Sequence, residues 1–377
     1  MHKMAGIYIH IPFCARRCTY CDFYSTVGVA EPDSYIQALL VEAAMRAHEL
    51  NGKTVQTVYV GGGTPSQPSS SQLAHLIQGL SKIIHLDDVE EFTVEVNPDD
   101  VNARYIQALR EIGVNRISMG IQSFNDDELH AIGRRHDARQ AIEAVNAIRQ
   151  AGITNLSIDL IYGLPGQTLH SWQQSLAQAL ELRPEHISAY AFSYEQGTPL
   201  WQQRERGEII ETDEETSIAM YRLLIENLRQ AGYEHYEISN FALPGYRSRH
   251  NSSYWNDTSY LGLGAAAHSY DCNFRRYNPA SLTKYTKAIE LHTLPCEIEN
   301  ITDDEKYDET VMVQLRTAQG INLNMISQRF GNDTMNHLMQ QAQQFIEAGL
   351  LALDEQHLHL TQDGIMTSDN IIRHLMW

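Results

Sequence analysis

The sequence predicts an α/β protein: a partial (β/α)6 barrel followed by a C-terminal winged-helix-like α+β domain. Between residue 5 and about residue 193, β-branched apolar runs alternate with amphipathic stretches of helical periodicity. Each amphipathic stretch is long enough to be the crossover helix that two parallel strands require. From about residue 300 the pattern changes to three short helical stretches and a hairpin.

The barrel strands and helices can be assigned from these runs. Strands are predicted at 6–11, 57–60, 92–96, 116–121, 156–161 and 187–192, and helices at 34–50, 72–84, 103–112, 138–151 and 169–182. Gly113 and Gly152 are predicted to end the helices that precede them. The C-terminal hairpin is expected from strands at 349–353 and 357–360.

Length and composition indicate more than one domain. A chain of 377 residues with 43% apolar and 20% charged residues can bury a sizeable core. We expect a core barrel over 1–235, a connecting region over 236–299 and the C-terminal domain over 300–377.

The charge and the termini bear on partners and location. A formal net charge of −19 would repel a phosphate backbone, so no nucleic-acid partner is expected, and the acidic C-terminal domain is expected to dock or to form a lid. Residues 1–12 lack the features of a signal peptide, and no apolar run approaches the length of a transmembrane segment. We therefore expect a cytoplasmic protein.

Three of the five cysteines form the pattern C-x3-C-x2-C at Cys14, Cys18 and Cys21. They are too close for a disulfide framework, whereas one loop can wrap three thiolates around an iron–sulfur core and leave one iron open. Structural zinc with a fourth ligand such as His10 is an alternative, and three unliganded thiols are another. Cys272 and Cys296 show no ligand spacing.

The chemically unusual residues fall where predicted strands end. They lie at 14–21, 61–64, 95–98, Gln122 and 159–165. Because α/β barrels place their active sites at the carboxyl ends of the strands, we expect these residues to meet at one mouth.

Six segments in this order resemble the radical-SAM superfamily, in its coproporphyrinogen-oxidase-like branch. They are YIHIPFC at 8–14, CDF at 21–23, GGGTP at 61–65, EVNP at 95–98, GIQSF at 120–124 and IDLIYGLP at 158–165. The resemblance covers most of the chain. It implies a [4Fe–4S] cluster held by the three cysteines, with S-adenosylmethionine (SAM) at the open iron and reductive cleavage to methionine and a 5′-deoxyadenosyl radical.

The resemblance also implies roles for single residues. In such relatives Gly62, Gly63 and Thr64 match the segment at the methionine part of SAM, and Glu95 matches the contact to the ribose hydroxyls. Positions matching Gln122, Arg134 and Asp159 hold a second SAM, and those matching Tyr8 and Tyr20 pack near the cluster and cofactor. Without the resemblance, the glycines could be a tight turn, Arg134 an exposed helix arginine beside a carboxylate, and the tyrosines core residues.

Two departures from the oxidases resemble a heme-chaperone branch of this family. Phe23 stands where the oxidases carry a fourth cysteine, and only seven residues precede Tyr8, where the oxidases have a long extension.

The segment HNSSYW at 250–255 resembles a motif of the same branch. Its His250 is a candidate axial heme ligand, and Arg247 and Arg249 are candidates to pair with propionates. A loop histidine with two core aromatics is the alternative. The nearby stretch 262–268, GLGAAAH, allows a helix or a ligand to approach closely.

By this resemblance we expect a protein that binds heme and delivers it to membrane-bound respiratory hemoproteins. The alternative is an enzyme, an oxygen-independent coproporphyrinogen III oxidase. Activity on another tetrapyrrole is a third possibility. The heme acceptor, the cleavage of SAM during the normal cycle, the mode of heme attachment and the oligomeric state stay open.

Overall fold

A computed structural model describes residues 3–28 and 32–377; Met1 and His2, part of the segment judged not to be a signal peptide, lie outside them. The strands are β1 Lys3–Ile11, β2 Phe13–Cys14, β3 Thr26–Val27, β4 Lys53–Gly62, β5 Glu91–Val96, β6 Arg116–Gln122, β7 Asn155–Tyr162, β8 His186–Ala191, β9 Glu234–Glu237, β10 Asn240–Ala242, β11 Ser259–Leu263, β12 His268–Tyr270, β13 Phe274–Tyr277, β14 Glu297–Asn300, β15 Ile321–Asn322, β16 Leu351–Asp354 and β17 His357–Leu360.

The helices are α1 Pro32–Arg46, α2 Ser70–Ser81, α3 Ala103–Glu111, α4 Asp126–Ala131, α5 Ala138–Gln150, α6 Leu169–Leu182, α7 Pro199–Glu205, α8 Glu214–Gln230, α9 Arg249–Ser253, α10 Leu282–Glu290, α11 Asp303–Gln314, α12 Leu323–Phe330, α13 Asn332–Glu347, α14 Gln362–Ile365 and α15 Ser368–Leu375. Short 3₁₀ helices at Ala47–Leu50 and Pro98–Asp100 follow α1 and β5. In the two described ranges, no helix is both long and apolar enough to span a bilayer.

The barrel wall is made of parallel strands in the order β1, β4, β5, β6, β7 and β8. A helix lies between each consecutive pair, as parallel pairing requires. This confirms the predicted α/β fold with a partial (β/α)6 barrel. The helix predicted at 169–182 has the bounds of α6, and the other predicted barrel helices end within a few residues of their positions in the structure.

The same sheet continues beyond the barrel on both sides. Strand β11 pairs in parallel with β1 and carries the antiparallel strands β12 to β14, while β10 and β9 extend the sheet from β8. These strands come mainly from residues 236–299, the predicted connecting region. Most of these strands are short, and the edge strand β14 is exposed along its whole length. They therefore contain no long apolar run that would predict a strand.

Local signals in the sequence explain where the barrel helices begin and end. Capping boxes start α2, α5 and α6, with Ser69, Asp137 and Thr168 as the N-cap residues. Gly113 and Gly152 have φ of 97° and 85° and follow α3 and α5, in the left-handed conformation predicted for them.

Helix α1 carries a buried ion pair whose two members hydrogen-bond to the backbone of Gly262 and Gly264, in and directly after β11. Glu42 and Arg46 are 0% and 1% exposed, and their side chains lie 2.9 Å apart. Glu42 accepts hydrogen bonds from Gly264 N and Tyr285 Oη, at 2.8 Å and 2.7 Å. A Cβ at Gly264 would lie 2.4 Å from the hydroxyl of Tyr35, so the close approach allowed by the stretch 262–268 is made by this helix.

The C-terminal domain has its own core and covers one edge of the main sheet. Strands β15, β17 and β16 form a small sheet against α11, α12, α13 and α15, and the predicted hairpin is formed by β16 and β17. Backbone hydrogen bonds join Ile238 N to Arg316 O at 2.9 Å and Ala318 N to Tyr236 O at 3.0 Å. The edge strand β9 is thereby protected from pairing with another chain.

Candidate functional site

A cavity of about 450 Å³ opens at the carboxyl ends of the barrel strands. Its lining brings together most of the predicted site residues: Cys14, Cys18, Tyr20, Cys21, Gly62, Gly63, Thr64, Glu95, Gln122, Arg134 and Asp159. Tyr8 and His250 are not among the described residues that line it. The strand ends therefore meet at one mouth, where an α/β barrel places its chemistry.

The three cysteines lie in and directly after strand β2. They are free thiols and half-buried. The Thr64 hydroxyl donates to Cys14 Sγ at 3.4 Å, and Arg134 Nη1 donates to Cys18 Sγ at 3.5 Å. Burial, opposed by a backbone hydrogen bond at Phe23, raises the pKa of the Cys21 thiol to about 11, and the neighbouring sulfurs add to the rise. Metal binding would have to displace that proton.

The donor set fits an iron–sulfur cluster better than zinc. His10, the candidate fourth zinc ligand, contacts the Tyr8 hydroxyl through Nδ1 at 3.1 Å and Tyr24 O through Nε2 at 3.0 Å. In residues 3–28 and 32–377, no three His, Cys, Asp or Glu side chains are arranged to hold one metal ion. A cluster instead distributes its thiolates over separate irons, and donors directed at the sulfurs tune it.

The two glycines beside the cysteines pack against protein. A Cβ at Gly62 would lie 2.6 Å from the His10 ring, and one at Gly63 would lie 2.9 Å from the backbone of Pro12. The space of the absent side chains is thus taken by β1 and the chain after it. Only their backbone is available to a ligand in the cavity.

Glu95 ends β5 with both oxygens hydrogen-bonded. Tyr59 Oη donates to Oε1 at 2.7 Å, and Gly62 N donates to Oε2 at 3.1 Å. These donors offset the cost of burying the carboxylate. Burial raises the pKa of Glu95 to about 7 against the effect of these hydrogen bonds. Each oxygen has a further lone pair with which to accept from a hydroxyl group.

Gln122 has a strained backbone at the end of β6. Its φ is 72°, and the register between β6 and β7 shifts at this point. A bulge with a non-glycine residue in the left-handed region redirects a side chain at a cost in energy. Here the redirected side chain lines the cavity.

This strain predicts an inverted stability order at one position. Gln122→Gly is expected to have a free energy of unfolding about 1 kcal/mol higher than Gln122→Ala, because only glycine adopts this φ without strain. Denaturant unfolding of both variants measures the difference. In an unstrained strand alanine would be the more stable of the two, and that result would contradict the strain.

Arg134 is half-buried, unlike the exposed helix arginine expected from its sequence alone. Its Nη2 donates to Asn97 Oδ1 at 2.8 Å and to Gly120 O. Its buried Nε has no hydrogen-bond partner within the described ranges. Arg134 therefore joins the cysteine loop to the ends of β5 and β6 and retains a donor for a ligand.

Asp159 lies across the cavity from the cysteine loop, on β7. Burial raises its pKa to about 6, although hydrogen bonds with Ser188 and Ser118 and the charge of Arg116 act in the opposite direction. The negative charge of Asp159 in turn adds to the rise in the pKa of Glu95. The pKa values of both carboxyl groups are thus raised toward neutral pH.

Two residues outside the predicted site set also shape the site. Asn97 donates to Thr64 Oγ1 at 3.2 Å and so connects Arg134 to the contact of Cys14. Tyr59 holds Glu95. The sequence signal for them is weak: Asn97 is part of the EVNP segment, and Tyr59 places a polar group in an apolar run.

His250 lies away from the cysteines, near the amino-terminal ends of the barrel strands. It is 1% exposed, with Nδ1 at 2.8 Å from Thr57 Oγ1 and Nε2 at 3.0 Å from Tyr254 Oη. Burial lowers its pKa to about 3. Both ring nitrogens are therefore engaged, and axial ligation would require one of these contacts to break.

The two arginines of the predicted heme site also have protein partners. Arg247 pairs with Glu234 at 2.9 Å, and Arg249 pairs with Glu90 at 2.5 Å. Tyr254 is partly exposed, and the ring nitrogen of Trp255 is buried without a partner within the described residues. The two arginine pairs are on the surface, so Arg247 and Arg249 could exchange their glutamate partners for other carboxylates at small cost.

Comparison with known proteins identifies related families. The radical SAM superfamily matches residues 8–179, and the HemN C-terminal domain matches residues 301–367. The heme chaperone HemW of Lactococcus lactis is 35% identical over 98% of the chain and 97% of its own length, and that of Bacillus subtilis is 33% identical over 98% of each. Among solved structures, the coproporphyrinogen III oxidase HemN of Escherichia coli, a radical SAM enzyme, has a TM-score of 0.87 and 25% identity, covering 100% of this chain and 90% of its own.

Proposed function

This chain belongs to the HemW family of the radical SAM superfamily, and on that premise we propose that it is a heme chaperone. It would bind heme together with SAM and a [4Fe–4S] cluster, and deliver heme to membrane-bound respiratory hemoproteins. The observation that carries the proposal is the similarity to HemW proteins over nearly the whole chain. Phe23, at the position of the oxidases' fourth cysteine, agrees with it.

The cavity supports the cofactor part of the proposal. Cys14, Cys18 and Cys21 would hold the cluster, and Glu95 would accept hydrogen bonds from the ribose hydroxyls of SAM. When bound, the cluster and SAM supply an electron and a sulfonium whose reductive cleavage generates a radical. The chain's own contribution is to hold the ligand in a polar mouth and to limit the access of water.

The remaining cavity residues would complete a polar ring. Arg134 would donate from its unpartnered Nε, and Gln122 and Asp159 would contact a ligand from the opposite strands. The backbone of Gly62 and Gly63 and the hydroxyl of Thr64 would face the methionine part. Tyr20 would close the site through its ring, which packs against Phe192 at 6.1 Å.

An oxygen-independent coproporphyrinogen III oxidase is the second candidate. It is favoured by the close structural likeness to the E. coli enzyme. The two functions differ in what happens to a tetrapyrrole: the chaperone keeps it intact, while the oxidase removes carbon dioxide from two propionates.

One experiment separates the two. Protein reconstituted anaerobically with iron and sulfide is expected to bind heme with a Soret band and to leave coproporphyrinogen III unchanged in the presence of SAM and a reductant. Robust formation of protoporphyrinogen would establish the oxidase instead. If the reconstituted protein does not bind heme, the proposed chaperone function is contradicted.

The role of His250 gives a further expected result. His250→Ala should weaken heme affinity by about tenfold or more and change the Soret spectrum, since one axial ligand would be lost. His268→Ala, in a more exposed histidine on β12, serves as the control and should leave heme binding unchanged. If the affinity and the spectrum of His250→Ala are unaltered, His250 is not an axial ligand of the heme.

A further inference from the structure

The histidine of the HNSSYW segment is connected to the candidate cofactor carboxylate through Tyr59. The rings of His250 and Tyr59 are stacked, with 5.1 Å between their centroids and 26° between their planes. The Tyr59 ring also stacks on that of Tyr8 at 6.1 Å. From this stack the Tyr59 hydroxyl reaches Glu95 Oε1 at 2.7 Å. The position of His250 therefore bears on the orientation of the carboxylate.

His250 is itself held firmly at the floor of the barrel. The buried carboxylate of Glu91 accepts hydrogen bonds from the backbone N–H groups of Arg249 and His250 at 2.8 Å and 2.9 Å. A Cβ at Gly6 would lie only 3.2 Å from the His250 ring, so β1 packs directly against it. With Thr57 bound to Nδ1, the ring has little freedom to turn.

We infer that Tyr59 and His250 are positioning residues for the SAM site: they hold Glu95 ionised and in the orientation that receives the cofactor's ribose hydroxyls. The inference rests on the proposed role of Glu95 as a SAM contact. Side chains that are locked by packing and by a second layer of hydrogen bonds hold a binding group within the narrow tolerance that recognition needs. The HNSSYW histidine thus supports the cofactor site from the amino-terminal side of the barrel strands.

The Tyr59 hydroxyl also affects the ionisation of Glu95. Burial raises the pKa of Glu95 to about 7, while the Tyr59 hydroxyl, Gly62 N and the charge of Arg116 lower it. The titratable and charged groups that face it are Tyr8, Tyr59, Arg116, Asp159, Tyr190 and Tyr254. SAM should bind the ionised carboxylate, so affinity rises as pH increases through this pKa. Removal of the Tyr59 hydroxyl raises the pKa further, and the midpoint of binding should move to higher pH.

The test is SAM binding by the full chain with its reconstituted cluster, measured by anaerobic calorimetry from pH 6 to 9. Tyr59→Phe is expected to bind about fivefold more weakly at pH 7, with the midpoint about one pH unit higher and affinity largely recovered at high pH. Tyr162→Phe is the matched control, because this buried tyrosine of β7 lies outside the cavity lining. It should bind SAM as the unchanged protein does.

Two His250 variants test the stacking itself. His250→Phe keeps a flat ring against Tyr59 and should retain most of the SAM affinity. His250→Ala removes the ring and should shift the midpoint in the same direction as Tyr59→Phe. Circular dichroism and thermal melting, run on each variant, restrict the comparison to folded protein.

The outcomes separate the inference from the proposed function. If Glu95→Gln binds SAM as tightly as the unchanged protein, the proposed role of Glu95 fails. If Glu95→Gln loses affinity but Tyr59→Phe keeps the same midpoint, the inference is overturned while the proposed site stands. An equal loss at every pH would mean that Tyr59 is merely structural, and would also overturn it.

Discussion

Cys18→Ser is expected to abolish the iron–sulfur cluster. A cluster held by three cysteines has no spare ligand, and a serine oxygen is a poor replacement for a soft thiolate. Cys18 also receives the hydrogen bond of Arg134 at 3.5 Å, so the variant leaves a half-buried cation beside an empty corner of the loop. Iron and acid-labile sulfide content and visible absorption after anaerobic reconstitution measure the loss.

The remaining cysteines supply the control for this prediction. Cys272 lies far along the chain, in the turn between β12 and β13, and its thiol donates to Asp257 O at 3.3 Å. Cys272→Ser and Cys296→Ser should each retain a full cluster. Normal iron and sulfide in Cys18→Ser, or loss of the cluster in Cys272→Ser, would mean that the cluster ligands have been assigned wrongly.

Glu42→Ala is expected to lower the free energy of unfolding by about 3–5 kcal/mol, the range for breaking a buried pair and leaving one charge behind. Glu42 accepts from Arg46, Gly264, Asn278 and Tyr285, and both charged side chains are almost fully buried. The variant would leave the Arg46 guanidinium with the less buried Glu49 as its remaining carboxylate partner. Chemical denaturation gives the change.

An exposed ion pair of the same spacing provides the comparison. Arg139 and Glu143 are also four residues apart on a helix, at 3.2 Å, but are 75% and 61% exposed. Glu143→Ala should cost no more than about 0.5 kcal/mol, since water replaces the lost interaction. Similar losses in the two variants would show that burial of the Glu42 pair does not govern its contribution.

The buried network around Glu42 and Arg46 matters for the site because helix α1, which carries it, also contacts the strand that leads to the cysteines. The hydroxyl of Tyr35 on α1 donates to His10 O at 2.8 Å and accepts from Ala265 N at 3.0 Å. His10 precedes the cysteines by a few residues on β1. The buried network of α1 therefore fixes the strand end from which the loop begins.

Most of the barrel could be predicted from the sequence because its parallel strands are buried. Strands such as β6 and β7 form apolar runs, and the intervening helices carry strong caps at Asp137 and Thr168. The edge strands could not be predicted in this way. β13 and β14 are partly or wholly exposed and lack a periodic pattern, and β11 joins β1 only through a contact distant in sequence.

The sequence predicts which residues meet in the candidate site, but it does not predict which of them contact one another. Residues after separate strands could be expected to meet, since the carboxyl ends of parallel strands share one side of the barrel. The link from Tyr59 to Glu95 and the position of His250 at the barrel floor depend on register between strands. Single residue types carry no information about that register.

The central claim is that three thiolates hold an iron–sulfur cluster whose remaining iron is open to SAM. Electron paramagnetic resonance of the reduced cluster, recorded before and after addition of SAM, tests it most directly. We expect a cluster signal that changes when SAM is added and stays unchanged with 5′-methylthioadenosine, which lacks the amino and carboxylate donors of SAM. A signal indifferent to SAM, or no cluster signal at all in reconstituted protein, would contradict it.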